Sequence, residues 1–186
     1  MQVYKILYGK KTVLMPFFPD KDMDYFWELY GEGSPDKLGE WVKVGKQDAI
    51  SQFIARSIDA GVLQMWVGYT KEGKASKKCG IVYIIGVKPH IISIHGSADK
   101  RYIKGLDKKL KEKDKVTFTE DAFRAVLNYC FDVLKTDRVE TTIEKSNKLA
   151  IALAVKCGMD KEGVLRKYIK VNDHVMDMVM LSKIKE

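Results

Sequence analysis

The sequence predicts one mixed α/β domain with a largely antiparallel sheet and at least one crossover helix. Three observations carry that reading. Strand-like apolar runs and amphipathic helical stretches follow in the order strand, helices, three strands, helix, strand, helix, hairpin. The polar connections TKEGKASKK and Asn172-Asp173 have the turn chemistry of hairpins. The helical run that begins near Thr117 lies between two strand-like segments, where it can serve as a crossover.

The elements follow in order. Thr12–Phe17 (TVLMPF) reads as a short strand ended by Pro16 and Pro19. Asp20–Tyr30 reads as a helix with Asp20 as N-cap and Met23, Phe26, Trp27 and Tyr30 on one face. GEGSPDKLG is a loop. Gln47–Ala60 gives a second helix, with Ile50, Phe53, Ile54 and Ile58 on one side. Leu63–Tyr69, Cys79–Val87 and Ile91–His95 are strands. Thr117-Phe-Thr-Glu120 fits a capping box, and Phe123, Val126, Leu127, Cys130, Phe131 and Leu134 follow at helical spacing. Arg138–Ile143 alternates as a strand. Ser146 can cap a helix through Val155, with Gly158 placed to end it in the left-handed conformation. Val164–Val171 and His174–Leu181 close the chain as a hairpin.

The chain has 186 residues, enough for one domain, and no internal repeat or linker divides residues 1–186. With 46% hydrophobic and 31% charged residues, the composition excludes a disordered chain. No apolar run reaches about 18 residues, so no membrane partner is expected. The opening MQVYKILYGKKTVLM lacks the pattern of a secretion signal. Cys79, Cys130 and Cys157 are odd in number and form neither a CxxC pair nor a metal cluster. They read as reduced, buried thiols, which fits a cytoplasmic location. The net charge of +8 and a pI near 9.2 favour anionic partners: nucleic acid, a phosphate-bearing cofactor or an acidic surface. No zinc-finger or RNP-type motif singles out nucleic acid.

The most informative block is Arg138–Arg166. It contains Asn147-Lys-Leu-Ala150, Lys156-Cys-Gly-Met159 and Glu162-Gly-Val-Leu-Arg166, and Asp177 follows in the final hairpin. In these residues the chain resembles the GNAT acyltransferases, specifically the branch that acetylates the N-terminal alanine of ribosomal proteins. That branch carries N-x-x-S/A on a helix, a K-x-G-F turn and E-G-x-x-R. TVLMPFFPDKDMDYFWELY is similar to its opening strand and first helix. The resemblance implies a single GNAT-like α/β domain: a mixed, mostly antiparallel sheet with splayed central strands, flanked by helices. It implies acetyl-CoA as co-substrate in the gap, with the pantetheine arm added like a strand and the pyrophosphate on a helix N-terminus. It further implies direct transfer to a primary amine, a small molecule or a protein N-terminus.

One departure stands out. The family's phosphate loop, Q/R-x-x-G-x-G/A, uses glycines to let the backbone approach the phosphates. Lys115, Val116 and Thr117 stand in their place, and Gly105 comes about ten residues early, before LDKKLKEKDK. Two readings follow. In one, Arg101, Lys104, Lys113 and Lys115, with the Thr117 and Thr119 hydroxyls, replace the amide cradle by side-chain charge and hydrogen bonds. In the other, the pocket is lost, and the protein binds a macromolecular assembly partner, as GNAT-like phage virion components do. Ala150, where Ser is common, points the same way as the missing glycines.

Asn147 is the position that the resemblance assigns to the cofactor arm; helix capping beside Ser146 also explains an Asn there. His95 ends the strand expected to splay, and its pKa range suits a general base for an ammonium acceptor. A half-exposed strand histidine is the plain alternative, and Ser97 and Asp99 are nearby substitutes. Glu162, Gly163 and Arg166 read as a braced turn. Asp177 faces either the substrate or a buried partner. Tyr25, Phe26, Trp27 and Tyr30 form a core face of the first helix, a region with which the family shapes its acceptor pocket. The methionines of the last strand read as core filling. His90 and His174 lie at turns, with no metal site implied.

Overall fold

In a computed structural model, residues 5–30, 47–71, 76–103, 117–171 and 174–186 are described. Eight strands form one sheet in the order β1-β2-β3-β4-β5-β6-β8-β7. They are β1 (Leu7–Tyr8), β2 (Thr12–Pro16), β3 (Leu63–Thr70), β4 (Lys78–Lys88), β5 (Ile91–Ala98), β6 (Arg138–Glu144), β7 (Asp160–Val171) and β8 (His174–Ile184). Every neighbouring pair is antiparallel except β5–β6, which is parallel. Among the described residues the helices are α1 (Pro19–Tyr30), α2 (Gln47–Asp59), the short α3 (Lys100–Ile103), α4 (Phe118–Asn128) and α5 (Lys148–Lys156). α4 runs on through a π turn, Tyr129–Val133, closed by the Leu134 N–H donating to the Tyr129 carbonyl at 3.1 Å.

Side-chain alternation divides the sheet into two faces. On one face Met65, Val67 and Ile81 pack with Phe26, Leu29 and Ile58 of α1 and α2. On the other, Trp66, Val82, Ile94, Val139, Val179 and Leu181 pack with Val126 and Leu127 of α4 and with Ile151 and Ala154 of α5. The aromatic positions read from α1 form a stacked core: Phe26 lies 4.6 Å from Tyr30 and meets Phe17 edge-on at 6.5 Å.

The boundaries of several elements differ from the sequence reading for identifiable reasons. α1 starts at Pro19, whose fixed φ suits the first helical position. Asp20 is therefore not the cap; the Asp22 carboxylate accepts the Phe18 N–H at 3.0 Å instead. Half of the expected capping box forms, since Thr117 Oγ1 accepts the Glu120 N–H at 3.1 Å. The Glu120 carboxylate turns inward rather than back. It accepts Arg124 Nε at 3.1 Å and faces Lys156 Nζ at 3.1 Å, which ties α4 to the end of α5. α5 is capped by Asn147, not Ser146, and Gly158 ends it with φ of 88° as read. β7 begins at Asp160, so Glu162 and Gly163 lie within a strand, at a register shift, and not in a turn. Lys104, Gly105, Lys113, Lys115 and the Asn172-Asp173 turn lie outside the described residues.

Two polar devices hold distant segments together. Asp121, buried in the first turn of α4, reaches the β1–β2 turn. Its carboxylate accepts the N–H groups of Lys10, Lys11 and Thr12 at 2.9, 2.8 and 2.9 Å and the Thr12 hydroxyl at 2.7 Å. Gly9 makes room for it, because a Cβ there would stand 2.1 Å from Asp121 Oδ2. At the other end of the sheet, Arg138 forks onto Glu162 through two bonds of 2.6 Å, holds Glu140 at 2.9 Å, and Ser182 donates to Glu162 at 2.6 Å. Glu162 therefore braces β6 against β7, and its partner is not Arg166.

The Arg138 fork holds the Glu162 carboxyl down to about 2, from an ordinary value near 4.5. The folded state binds that proton less readily than the unfolded chain. The contribution is thus complete above about pH 4.5 and is lost as pH falls through about 2. Glu162→Gln is expected to flatten the acid limb of stability across that window, measured by thermal unfolding against pH.

Candidate active site

The site arises from one register. β5 and β6 pair only at Ile91–Arg138, Ile92–Val139 and Ser93–Glu140, yet β5 continues to Ala98 and β6 to Glu144. Beyond Ser93 the two strands splay. The backbone direction there can be read from the β4 side. Ala98 pairs with Gly80, and the Asp99 N–H donates to the Cys79 carbonyl at 3.0 Å. Pairs 98–80 and 96–82 are consequently of the non-hydrogen-bonded kind. Gly96 and Ala98 turn their N–H and C=O groups away from β4 and into the gap that β6 has left.

A cavity of about 620 Å³ occupies this gap. Its lining comes from both faces of the sheet: Ile94, Phe123 and Leu153 from the α4–α5 side, Tyr83, His95 and Met178 from the α1–α2 side. Phe118 and Thr119, the first two residues of α4, reach it as well. Their N–H groups have no intrahelical partner, and they stand at the positive end of the helix dipole. The splay and the helix start thus bring to one cavity backbone donors from two elements that lack a strand or helix partner among the described residues.

His95 lines the cavity from within β5, three residues before the strand ends, not at its tip as the sequence suggested. Its ring stacks on Tyr83 at 5.4 Å, and Nε2 lies 2.7 Å from the Ser93 hydroxyl. Burial lowers its pKa below the ordinary 6.5, so the neutral imidazole prevails near neutral pH. Asn147 also lines the cavity. Its Oδ1 accepts the Ala150 N–H at 3.1 Å, so capping accounts for the carbonyl half of the side chain and leaves the amide NH2 as a donor. The two readings of this residue coexist.

The other expected positions divide between the cavity and places away from it. Thr119 lines the cavity; Thr117 is buried and spends its hydroxyl on the cap. Arg101 does not line it. Its guanidinium forks onto Asp99, through Nε to Oδ1 at 2.8 Å and Nη2 to Oδ2, which holds the Asp99 carboxyl below its usual range. Ser97 and Asp99 are buried, and of the two Ser97 lines the cavity. Asp177 accepts the Lys167 N–H at 2.9 Å where Lys167 takes φ of 52°, and so fixes the irregular stretch of β7. Cys79, Cys130 and Cys157 are buried free thiols pushed up to about 12 by desolvation, which leaves them protonated and unreactive. The Gly96 and Ala98 backbone donors were not legible in the sequence. The nearest signal was Gly96 itself, in a strand that reads as ending one residue earlier.

Comparison with solved structures places this architecture. An acetyltransferase of the GNAT family from Bacillus anthracis superposes with a TM-score of 0.73 over 97% of this chain and 98% of that one, at 17% identity. A spermidine/spermine N-acetyltransferase from Vibrio cholerae gives 0.67 over 94% and 92%, at 15% identity. A Vibrio cholerae chain assigned as a ribosomal-protein-serine acetyltransferase gives 0.71 over the full length of both, at 15% identity. The fold is that of the GNAT N-acetyltransferases. In sequence, a 68-residue segment is 32% identical to an uncharacterized N-acetyltransferase, p20, of Bacillus licheniformis; it covers 37% of this chain and only 38% of that relative. No family model matches the chain.

Proposed function

We propose that the protein is an acetyl-CoA-dependent N-acetyltransferase that transfers the acyl group directly to a primary amine. The observation that carries this reading is the splayed β5–β6 pair, with the Gly96 and Ala98 backbone turned into a cavity that α4 also faces. These residues fit acetyl-CoA: an exposed strand edge suits a pantetheine amide chain, and the α4 N-terminus suits a phosphate. The fit does not require the missing glycines. The α4 amides are supplied by Phe118 and Thr119, and the Asn147 amide adds a donor.

Acetyl-CoA supplies an acyl group already activated as a thioester. The protein's own part is to hold, orient and move a proton. Gly96 N–H and Ala98 N–H offer fixed donors in the gap, where an oxygen gaining negative charge is stabilised without reorganisation. His95, neutral and facing the same cavity, accepts the proton that an ammonium acceptor must lose so that its amine can attack, and the thiolate released leaves as CoA thiol on taking up a proton. The Ser93 hydroxyl at Nε2 fixes the ring, and Tyr83 supports its plane. The low pKa of His95 sets a pH expectation. The base is fully available above about 6.5 and is lost as pH falls through its lowered value. The acid limb of kcat/KM should therefore lie below about pH 6.5, and a rate profile that titrates above that value would count against His95 as the base.

The binding half of the reading is tested by melting temperature. A ligand that binds only the folded chain, at 100 times its Kd, adds about 2.7 kcal/mol. A saturable rise with acetyl-CoA, smaller with dephospho-CoA, together with amine-dependent thiol release, is the expected result. No rise at millimolar acetyl-CoA would overturn the reading and favour a binding or assembly role.

A further inference from the structure

The two faces of the cavity differ in chemistry, and the face that carries His95 narrows the acceptor. On that face the wall is made by Tyr30 at the end of α1, Tyr83 of β4, Ile169 of β7, and Met176 and Met178 of β8. Ile169 and Met176 are direct cross-strand partners, so they form one continuous apolar step. Tyr30 is stacked on Phe26 and Tyr83 on His95, which fixes two of the rings before anything binds. Two methionines beside fixed rings suit an apolar body of variable shape.

Charge is nearly absent from this wall. Among the described residues that line the cavity, the one carboxylate is Glu144, whose Oε1 already accepts the Ser146 hydroxyl at 2.6 Å. None of them is Lys or Arg, although the chain carries a net charge of +8. A polyamine holds several ammonium groups apart and needs a carboxylate or carbonyl for each. An acidic acceptor needs a cation. Neither set of partners is present on the described wall. A single ammonium near His95 and Glu144, carried on an apolar body against the rings and methionines, matches what is there.

We infer, building on the acetyltransferase reading, that the acceptor is a primary amine borne on an apolar or aromatic body: an arylalkylamine, or a chain N-terminus whose first side chain is apolar. Polyamines and acidic N-termini are poor acceptors. The specificity residues are Tyr30, Tyr83, Ile169 and Met176, on the wall opposite to the helix N-termini.

The test is acetyl transfer by the full chain to phenethylamine, spermidine, and two peptides that begin with Met or with Asp, followed by mass spectrometry of the product. The expected result is a kcat/KM for phenethylamine or the Met peptide at least about tenfold above those of spermidine and the Asp peptide, the discrimination one apolar contact supplies. The first two acceptors separate a free amine from a chain terminus. Met176→Glu, and independently Ile169→Thr, should lower the rate with the apolar acceptors by about tenfold or more while the melting shift with acetyl-CoA persists. Equal or better turnover of spermidine or the Asp peptide, with that shift intact, overturns this inference alone. Absence of the shift overturns the acetyltransferase reading and this inference with it.

Discussion

Replacing Asp121 with alanine is expected to lower the unfolding free energy by about 3 kcal/mol, read from the urea midpoint. Asp121 is 5% exposed, and its carboxylate accepts three N–H groups and one hydroxyl from the β1–β2 turn. Alanine leaves those donors without an acceptor, and the Thr12 donors lie inside the protein, where water does not replace one. The effect should extend to the site. Asp121 sits three residues after Phe118 and fixes the turn that carries Phe118 and Thr119 to the cavity. Acetyl-CoA should therefore stabilise Asp121→Ala less than the parent. A loss under about 1 kcal/mol would mean that the turn resolvates and that α4 is held by its apolar contacts alone.

Replacing His95 with alanine is expected to reduce kcat/KM by about 10²–10⁴, the range of a general base, while the melting shift with acetyl-CoA remains. The separation of the two readouts follows from geometry. His95 projects to the α1–α2 face beside Tyr83, whereas the α4 and α5 helix starts approach the cavity from the other face. His95→Gln keeps a polar group near the Ser93 hydroxyl but cannot take a proton, so its loss should match that of alanine. Activity within a fewfold of the parent in both variants would assign proton removal to water or to Glu144.

Much of the fold was legible because local chemistry specifies it. The Asn147 to Gly158 helix carries its own cap and its own left-handed stop, and the structure shows both. On the α1 face read from spacing, Phe26 and Tyr30 are buried, Met23 and Trp27 are only partly so, and Tyr25 and Leu29 complete the buried side. The end of β5 was misread because His95-Gly96-Ser97-Ala98 has the composition of a turn. Its extended form depends on β4, with which Gly96, Ser97 and Ala98 pair. The splay itself leaves no local trace, since it is the ending of a pairing between residues 47 positions apart, as Ile91 and Arg138 are, and not a property of either strand. Asp121 was invisible for the same reason, as its partners lie 109 to 111 positions away. The basic run expected to clasp phosphates gave a partial answer: Arg101 is committed to Asp99, and Thr117 to its helix.

Acetyl-CoA bound as proposed would complete the sheet where β6 leaves β5. Amide hydrogen exchange measures this directly. With saturating acetyl-CoA, exchange should slow at Gly96 and Ala98, whose N–H groups face the gap, and at Phe118 and Thr119 at the start of α4. Ser97, which already donates to β4, should change little. Unchanged exchange at Gly96 and Ala98 under saturating ligand would mean that acetyl-CoA does not pair with β5.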